Sequence, residues 1–179
     1  DIDMAVRLSA AGAMIRMLDA HFLHNGNQGE LVAATRGLGA DVGACIVSET
    51  RIGRGLGWEL DEPAIDDLQG CPVLLVNPRI PLSTGPVFKA WDGFDRGPLP
   101  EGSVREAALS GRNDLEAPAL TICPEIGSVL ASLRATQPIL ARMSGSGATC
   151  FALYETIEQR DAAQRVMPGT WWTLAGRLR

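Results

Sequence analysis

The chain contains 179 residues, of which 46% are apolar and 21% charged, the composition of an ordinary globular protein with one good core or two small domains. Its formal net charge is −5 and no segment concentrates basic residues, which argues against nucleic-acid binding because phosphate neutralisation needs a basic surface. No signal peptide or membrane-crossing apolar run is visible, and the four cysteines form no C-x-x-C pair. We therefore expect a cytoplasmic protein with reduced thiols, no thiolate-bound metal and no membrane partner.

The first part of the chain predicts two helices followed by two strands. Apolar residues recur at helical spacing over residues 9–22, and a shorter helix is predicted over residues 29–38. Residues 44–48 and 51–60 are predicted to be strands, the second of them rich in glycine. The polar, proline-containing segment 61–67 is interpreted as a linker, so we predict one domain over residues 1–67 and a second over residues 68–179.

The second part alternates strands and helices in an order that indicates an α+β fold. A strand at 72–77 precedes a helix at 84–91, a long loop at 92–112 and helices at 114–121 and 124–135. Strands at 138–143 and 149–154, a helix at 157–166 and a strand at 170–178 complete the chain. This order is that of a split βαβ, or ferredoxin-like, layer.

Between the second and third strands of that layer in chain order, residues 144–147 alternate serine and glycine. Glycine lets the backbone adopt positive φ and approach another group closely. An ordinary hairpin turn fits the spacing equally well. A hairpin, however, does not need two glycines separated by a serine and followed by Ala-Thr, whereas a loop that passes close to a ligand does.

Three other places offer polar groups suited to chemistry. Asp41 follows a predicted helix and precedes a predicted buried strand, where a carboxylate is well placed to accept a proton, although a turn-forming role explains it too. Ser83 and Thr84 open a predicted helix, where hydroxyl and N–H groups can bind an anion or simply cap the helix. The segment from Arg112 to Glu116 also opens a helix, and capping again accounts for it.

Taken together and in this order, six short motifs resemble the 4-diphosphocytidyl-2-C-methyl-D-erythritol kinase family of the GHMP small-molecule kinase superfamily. The motifs are Gly39-Ala-Asp-Val42, Val76-Asn-Pro78, Ser83-Thr84 with Val87-Phe88, Arg112-Asn-Asp-Leu-Glu116, Pro124-Glu-Ile126 and Met143-Ser-Gly-Ser-Gly-Ala-Thr-Cys-Phe151. The resemblance covers roughly residues 9–178, about the C-terminal two-thirds of such a kinase. It implies a GHMP-kinase-like fold with an incomplete N-terminal α/β domain and a ferredoxin-like C-terminal domain.

The resemblance also implies an activity and a set of site residues. The reaction is transfer of a phosphoryl group from ATP, with Mg²⁺, to the 2-hydroxyl of a small-molecule substrate, 4-diphosphocytidyl-2-C-methyl-D-erythritol, in non-mevalonate isoprenoid synthesis. Asp41 matches the catalytic carboxylate of the family. The resemblance places Ser9, Gly145, Ser146 and Gly147 at the ATP and Ser83 and Thr84 at the substrate, and it assigns no metal-ligating side chain.

The chain departs from the family at its beginning. Where the family has a glycine-rich phosphate loop ending in two serines, this chain has Ala5, Val6, Arg7 and Leu8 before Ser9, and the segment with the family's catalytic lysine has no counterpart. We therefore expect a C-terminal fragment, or a copy with a damaged start, with negligible kinase activity. Unpaired apolar helix faces leave a homodimer open. The alternative hypothesis is a non-catalytic module, derived from a GHMP kinase, that binds a nucleotide or a protein.

Overall fold

The computed structural model of the protein describes residues 28–35, 37, 42–54 and 59–178. The chain divides into two compact units, one within residues 2–64 and the other over residues 65–178. The predicted helix at residues 9–22 lies outside the described residues. Identification of the two units with the two domains of a GHMP kinase stays a prediction.

In the first unit, the described residues form two short helices and a pair of strands. They are α1 (Gln28–Ala34), α2 (Val42–Val47), β1 (Ile52–Arg54) and β2 (Glu59–Asp61), with β1 antiparallel to β2. The single strand predicted over residues 51–60 is thus wrong. Residues 52–54 and 59–61 of this segment form two antiparallel strands.

The strand predicted at residues 44–48 is also wrong, because this segment belongs to α2. Val42 and Ile46 are both fully buried, and their spacing of four residues puts them on one face of a helix. Gly43 permits a close approach to α1, since a Cβ atom at this position would lie 3.0 Å from Val32 Cγ1. Packing of this face overrides the strand preference of a short run containing Val and Ile.

The second unit consists of a four-stranded antiparallel sheet and five helices. The elements are β3 (Pro72–Asn77), α3 (Thr84–Ala90), α4 (Val104–Ser110), α5 (Glu116–Ile122), α6 (Glu125–Ala135), β4 (Leu140–Met143), β5 (Cys150–Leu153), α7 (Ile157–Val166) and β6 (Trp172–Arg177). The strands lie in the order β4-β5-β3-β6. Strand β3 separates β5 from β6, and β5 separates β3 from β4, which gives the two interleaved split βαβ units of a ferredoxin-like layer. The predicted α+β fold is confirmed.

The main core fills the space between one face of this sheet and the helices. Alternate residues of β3, Leu74 and Val76, face α6 and α7 and are fully buried. A smaller cluster lies on the opposite face, where Val73 and Leu153 pack with Leu68 and with Val104 of α4. Burial on both faces explains why β3 is an almost unbroken apolar run.

Helix α4 lies inside the segment predicted to be a long loop. Ser103 accepts a hydrogen bond from the backbone N–H of Glu106, and the Glu106 carboxylate accepts one from the backbone N–H of Ser103. This reciprocal capping box is encoded by Ser-x-x-Glu, a signal that predicts a helix start. Within the described ranges, no helix is both long enough and apolar enough to span a membrane.

Candidate functional site

Residues 144–149, here called the Ser-Gly loop, connect β4 to β5 at the end of the sheet where β3 also ends. The loop closes through two backbone hydrogen bonds, Ser144 N–H to Thr149 O at 2.9 Å and Gly147 N–H to Ser144 O at 3.0 Å. Gly145 and Gly147 have φ values of 54° and 90°, a region that favours glycine. The alternation of Ser and Gly therefore matches the backbone conformation that the loop requires.

Gly147 meets a second, steric requirement. A Cβ atom at this position would lie 2.9 Å from Met143 Sδ, 3.1 Å from Leu82 Cδ2 and 3.2 Å from Ile126 Cδ1. A Cβ atom at Gly145, in contrast, would meet no atom within 4 Å. The loop is thus pressed onto the core at Gly147, while Ser144 and Gly145 are exposed.

The side chain of Asn113, just before α5, holds the loop from one side. Its amide nitrogen donates to Met143 O at 2.9 Å and to Gly145 O at 2.8 Å. Its amide oxygen accepts from the backbone N–H of Leu115 at 3.0 Å. One amide therefore joins the start of α5 to both the last residue of β4 and the tip of the loop.

Glu116, the first residue of α5, supports the same junction. Its Oε2 atom accepts a hydrogen bond from the Met143 N–H at 3.2 Å, and its Oε1 atom lies 3.7 Å from Arg134 Nη2 on α6. The Arg-Asn-Asp-Leu-Glu segment thus supplies two side chains, three residues apart, that bind the backbone where β4 enters the Ser-Gly loop.

Asn77, the last residue of β3, binds the other end of the loop. Its fully buried side chain donates from Nδ2 to Thr149 Oγ1 at 2.9 Å and accepts at Oδ1 from the Arg79 N–H at 2.7 Å. Buried polar groups are stable only when they form such hydrogen bonds. The Val-Asn-Pro segment therefore uses its asparagine to connect two chain segments that lie far apart in the sequence.

Thr84, the first residue of α3, contacts the loop through its hydroxyl group. The Thr84 Oγ1 and Ser146 Oγ atoms are 3.1 Å apart, within hydrogen-bond distance. Ser83 is exposed, and its side chain makes no capping hydrogen bond to α3. Of these two predicted substrate residues, Thr84 contacts the Ser-Gly loop directly. Ser83, the residue before Thr84, is exposed on the surface.

Cys150, the first residue of β5, is buried beside the loop. Burial in apolar surroundings, together with the charge of Glu116, raises the pKa of its thiol to about 12 from an ordinary 9.0. A thiol with that pKa is protonated at neutral pH, so Cys150 is a core side chain and not a nucleophile.

The structure brings together four of the predicted site residues, namely Thr84, Gly145, Ser146 and Gly147. Asp41 and Ser9 lie outside the described residues, and their roles stay predictions. The sequence alone does not identify Asn77, Asn113 and Glu116 as residues that bind the loop. Capping explains the segment that contains Asn113 and Glu116, Asn77 ends a predicted strand, and hydrogen bonds to residues some 30 to 70 positions away leave no local sequence signal.

The loop offers hydrogen-bond donors to an anion. The backbone N–H of Ser146 has no acceptor among the described residues, and two hydroxyl groups lie beside it. Free backbone N–H groups in a glycine-containing turn favour negatively charged ligands. In the part of the chain that the structure describes, no cluster of three or more His, Cys, Asp or Glu side chains is arranged to hold a metal ion.

A separate cavity of about 430 Å³ lies at the opposite end of the sheet, where β3 begins and β5 ends. Arg105 at its rim pairs with Glu155, and Arg177 donates to the Gly70 carbonyl at 3.0 Å. Both guanidinium groups are therefore already engaged within the protein. The Ser-Gly loop, not this cavity, carries the features that suit an anionic ligand.

Comparisons of the sequence and of the fold with known proteins both find GHMP kinases. Residues 101–171 match the family model described as GHMP kinases C terminal. The chain is 62% identical over 169 residues to a protein of Novosphingobium aromaticivorans named 4-diphosphocytidyl-2-C-methyl-D-erythritol kinase, with 94% of this chain and 58% of that protein covered. A protein of the same name from Sphingopyxis alaskensis is 52% identical over 174 residues, with 94% and 61% covered.

A solved structure agrees with these relatives. It is the crystal structure of a 4-(cytidine 5'-diphospho)-2C-methyl-D-erythritol kinase, with a TM-score of 0.71 and 26% identity over 89% of this chain and 60% of that one. The chain therefore spans about three-fifths of the length of the proteins that it matches. From the family model, the named relatives and the fold, the chain belongs to the GHMP kinase family, among relatives named 4-diphosphocytidyl-2-C-methyl-D-erythritol kinase.

Proposed function

We propose that the chain serves ATP-dependent phosphorylation of the 2-hydroxyl of 4-diphosphocytidyl-2-C-methyl-D-erythritol in isoprenoid precursor synthesis, and that its Ser-Gly loop contacts nucleotide phosphates. The names of the relatives support this activity and substrate. The alternative, a non-catalytic binding module, is not favoured by relatives that are named as kinases.

One observation carries the phosphate assignment. The Ser-Gly loop is fixed by side chains from three separate segments, at Asn77, Thr84 and Asn113, while the Ser146 N–H is left without an acceptor among the described residues. Phosphoryl transfer depends on positioning and on electrostatic stabilisation of phosphate charge. A rigid loop with an available N–H group meets that need at little cost, because its donors are oriented before the ligand arrives.

Helix α3 adds a surface suited to the cytosine ring of the substrate. Thr84 and Phe88 are four residues apart and so lie on the same face of this helix. The Phe88 side chain is 53% exposed, although a phenylalanine without a ligand or partner is more commonly buried. A nucleobase can stack on such an exposed ring, so the hydroxyl of Thr84 and the ring of Phe88 suit the two ends of a cytidine diphosphate group.

The remaining roles rest on the family resemblance. Asp41 would orient the attacking hydroxyl and accept its proton, and Ser9 would contact ATP. Mg²⁺, when bound with ATP, would neutralise phosphate charge, and ions of this kind are held largely by substrate phosphates and water. The hydroxyl and N–H groups at the Ser-Gly loop fit phosphate oxygens, which are acceptors.

Isothermal titration calorimetry on the purified chain tests the proposal. We expect saturable heat with Mg·ATP and, separately, with cytidine diphosphate, and weaker Mg·ATP binding in Ser146→Pro, which removes the N–H. Val166→Ala, at the exposed end of α7, is the control and should bind as the unchanged chain does. Absence of heat with both ligands would overturn the proposal. Phosphoryl transfer by the chain would exclude the non-catalytic module.

A further inference from the structure

The amide of Asn113 has only one orientation that satisfies its neighbours. Its two N–H bonds point at Met143 O and Gly145 O, and its oxygen faces the Leu115 N–H. If the amide were flipped, its oxygen would face two carbonyl oxygens and its nitrogen would face an N–H group. Three partners therefore fix the side chain, and the side chain in turn fixes the two carbonyl groups of the loop.

The direction of the Gly145 carbonyl decides the direction of the next N–H. The Gly145–Ser146 peptide is trans, so its C=O and N–H bonds point to opposite sides of the chain. Because the Gly145 carbonyl points towards Asn113, the Ser146 N–H points away from it. This is the same N–H that lacks an acceptor among the described residues.

Because residue 145 is a glycine, the Gly145–Ser146 peptide needs a contact that holds its orientation. Gly145 has φ of 54° and an exposed backbone, and glycine tolerates both signs of φ at similar energy. A turn with glycine at this point can rotate its central peptide, which would turn the Ser146 N–H inward. The hydrogen bond from Asn113 to Gly145 O opposes that rotation.

We propose that Asn113 is a positioning residue that holds the Gly145–Ser146 peptide so that the Ser146 N–H faces a phosphate oxygen of the bound nucleotide. This inference rests on the proposed function for its ligand, but not for its geometry. Asn113 touches only protein atoms and acts through the peptide that it orients. Thr84 sets the Ser146 hydroxyl in the same loop, so backbone and side chain of Ser146 are oriented by different segments.

The test uses three variants of the purified chain. Asn113→Asp replaces two donors with a carboxylate that repels both carbonyl oxygens, and Asn113→Ser retains one shorter donor. Asp114→Asn is the matched control, because the Asp114 carboxylate accepts from Arg112 Nε at 2.9 Å and forms no hydrogen bond with the described residues of the loop. Two readouts are taken on ¹⁵N-labelled protein, the Ser146 amide resonance without ligand and the affinity for Mg·ADP.

We expect the Ser146 resonance to move and its solvent exchange to change in Asn113→Asp, with a smaller change in Asn113→Ser and none in Asp114→Asn. Affinity for Mg·ADP should fall about tenfold in Asn113→Asp, the size expected for one hydrogen bond to a charged group. Leu133→Ala, a buried site at the far end of α6, separates positioning from general destabilisation, since it lowers stability but should leave both readouts unchanged.

An unchanged Ser146 resonance in both Asn113 variants would overturn the inference, as would an affinity loss in Leu133→Ala equal to that in Asn113→Asp. If Asn113→Asp does not fold, Asn113→Ser decides the matter by the same two readouts. If the unchanged chain does not bind Mg·ADP, the proposed function fails. The ligand-free Ser146 resonance then still decides whether Asn113 orients the peptide.

Discussion

Asn77 and Thr149 join the end of β3 to the end of the Ser-Gly loop, with Asn77 Nδ2 donating to Thr149 Oγ1 at 2.9 Å. The Asn77 side chain is fully buried, and its oxygen also accepts from the Arg79 N–H. A buried amide with both ends satisfied stabilises one geometry and penalises others, because any shift of the loop leaves a polar group without a partner. This pair therefore adds a side-chain constraint to the backbone pairing of Val76 with Cys150 next to the loop.

Asn77→Ala should lower the free energy of unfolding by about 2 kcal/mol, because the Thr149 hydroxyl and the Arg79 N–H lose their partner. Urea denaturation of Asn77→Ala, Thr149→Val and the double variant would measure the coupling between the two side chains. We expect about 1 kcal/mol of coupling. Thr149→Ser retains the hydroxyl and is the control, with little loss. Strictly additive effects of the two single variants would show that the hydrogen bond does not stabilise the fold.

The three glycines at positions 85, 145 and 147 should respond differently to alanine. Gly147→Ala combines positive φ with a Cβ 2.9 Å from Met143 Sδ, and we expect a loss of about 2–4 kcal/mol in the free energy of unfolding. Gly145→Ala has positive φ but open space, and should cost about 1 kcal/mol. Gly85→Ala, in α3 with nothing within 4 Å, should cost nothing. Thermal unfolding of the three variants measures the order of their stability losses. Equal losses at positions 145 and 147 would contradict the close packing around Gly147.

The sequence predicts those parts of this fold whose signals are local. The strand Pro72–Asn77 and the helices Glu125–Ala135 and Ile157–Val166 appear where the apolar pattern and the breakers placed them, within a residue or two. The strand order follows from the order of elements, because a split βαβ arrangement leaves few alternatives. The sequence predicts a strand at residues 44–48, where the structure has the helix Val42–Val47, because a short run with Val and Ile shows no clear period and only burial against α1 reveals the helical face.

The sequence predicts the loop of the candidate site, but it does not predict the side chains that hydrogen-bond to the loop. Glycines at positions 145 and 147 reveal their backbone requirement through residue type alone. Asn113, in contrast, has a local capping explanation and Asn77 ends a predicted strand, and their partners are separated from them by 32 and 72 residues. A propensity argument cannot rank a distant hydrogen bond above a nearby cap. Both segments carry motifs of the family, but only the structure shows what the asparagines bind.

Phe88→Ala should weaken binding of cytidine diphosphate if the exposed ring on α3 stacks with the base. Stacking on an aromatic side chain is worth about 1–3 kcal/mol, so we expect about a tenfold higher dissociation constant by calorimetry. Phe94→Ala is the matched control, since Phe94 is 66% exposed but lies in the loop after α3, where its ring meets the guanidinium of Arg96. Equal losses in the two variants, or loss of Mg·ATP affinity as large as that of cytidine diphosphate in Phe88→Ala, would count against a base-specific role.

The buried thiol of Cys150 should make stability fall at alkaline pH. Burial raises its pKa in the folded state to about 12, whereas an exposed thiol in the unfolded chain titrates near 9.0. Between these values the unfolded state releases a proton that the folded state retains, so the free energy of unfolding decreases as pH rises, by up to about 1.4 kcal/mol per pH unit for this group. Below pH 9 the thiol is protonated in both states and contributes no slope.

Urea denaturation between pH 8 and 10.5 would measure this slope, with values near the lower pH as the reference. Cys150→Ala should be less stable at pH 8, because it leaves a small cavity, but its stability should fall less steeply with pH. Burial also raises the pKa of Tyr154 and of Cys123, so part of the slope should remain. Val129→Ala is the control, since it removes buried atoms without removing a titrating group and should retain the full slope. A slope in Cys150→Ala as steep as that of the unchanged chain would show that this thiol ionises in the folded protein as readily as in the unfolded one.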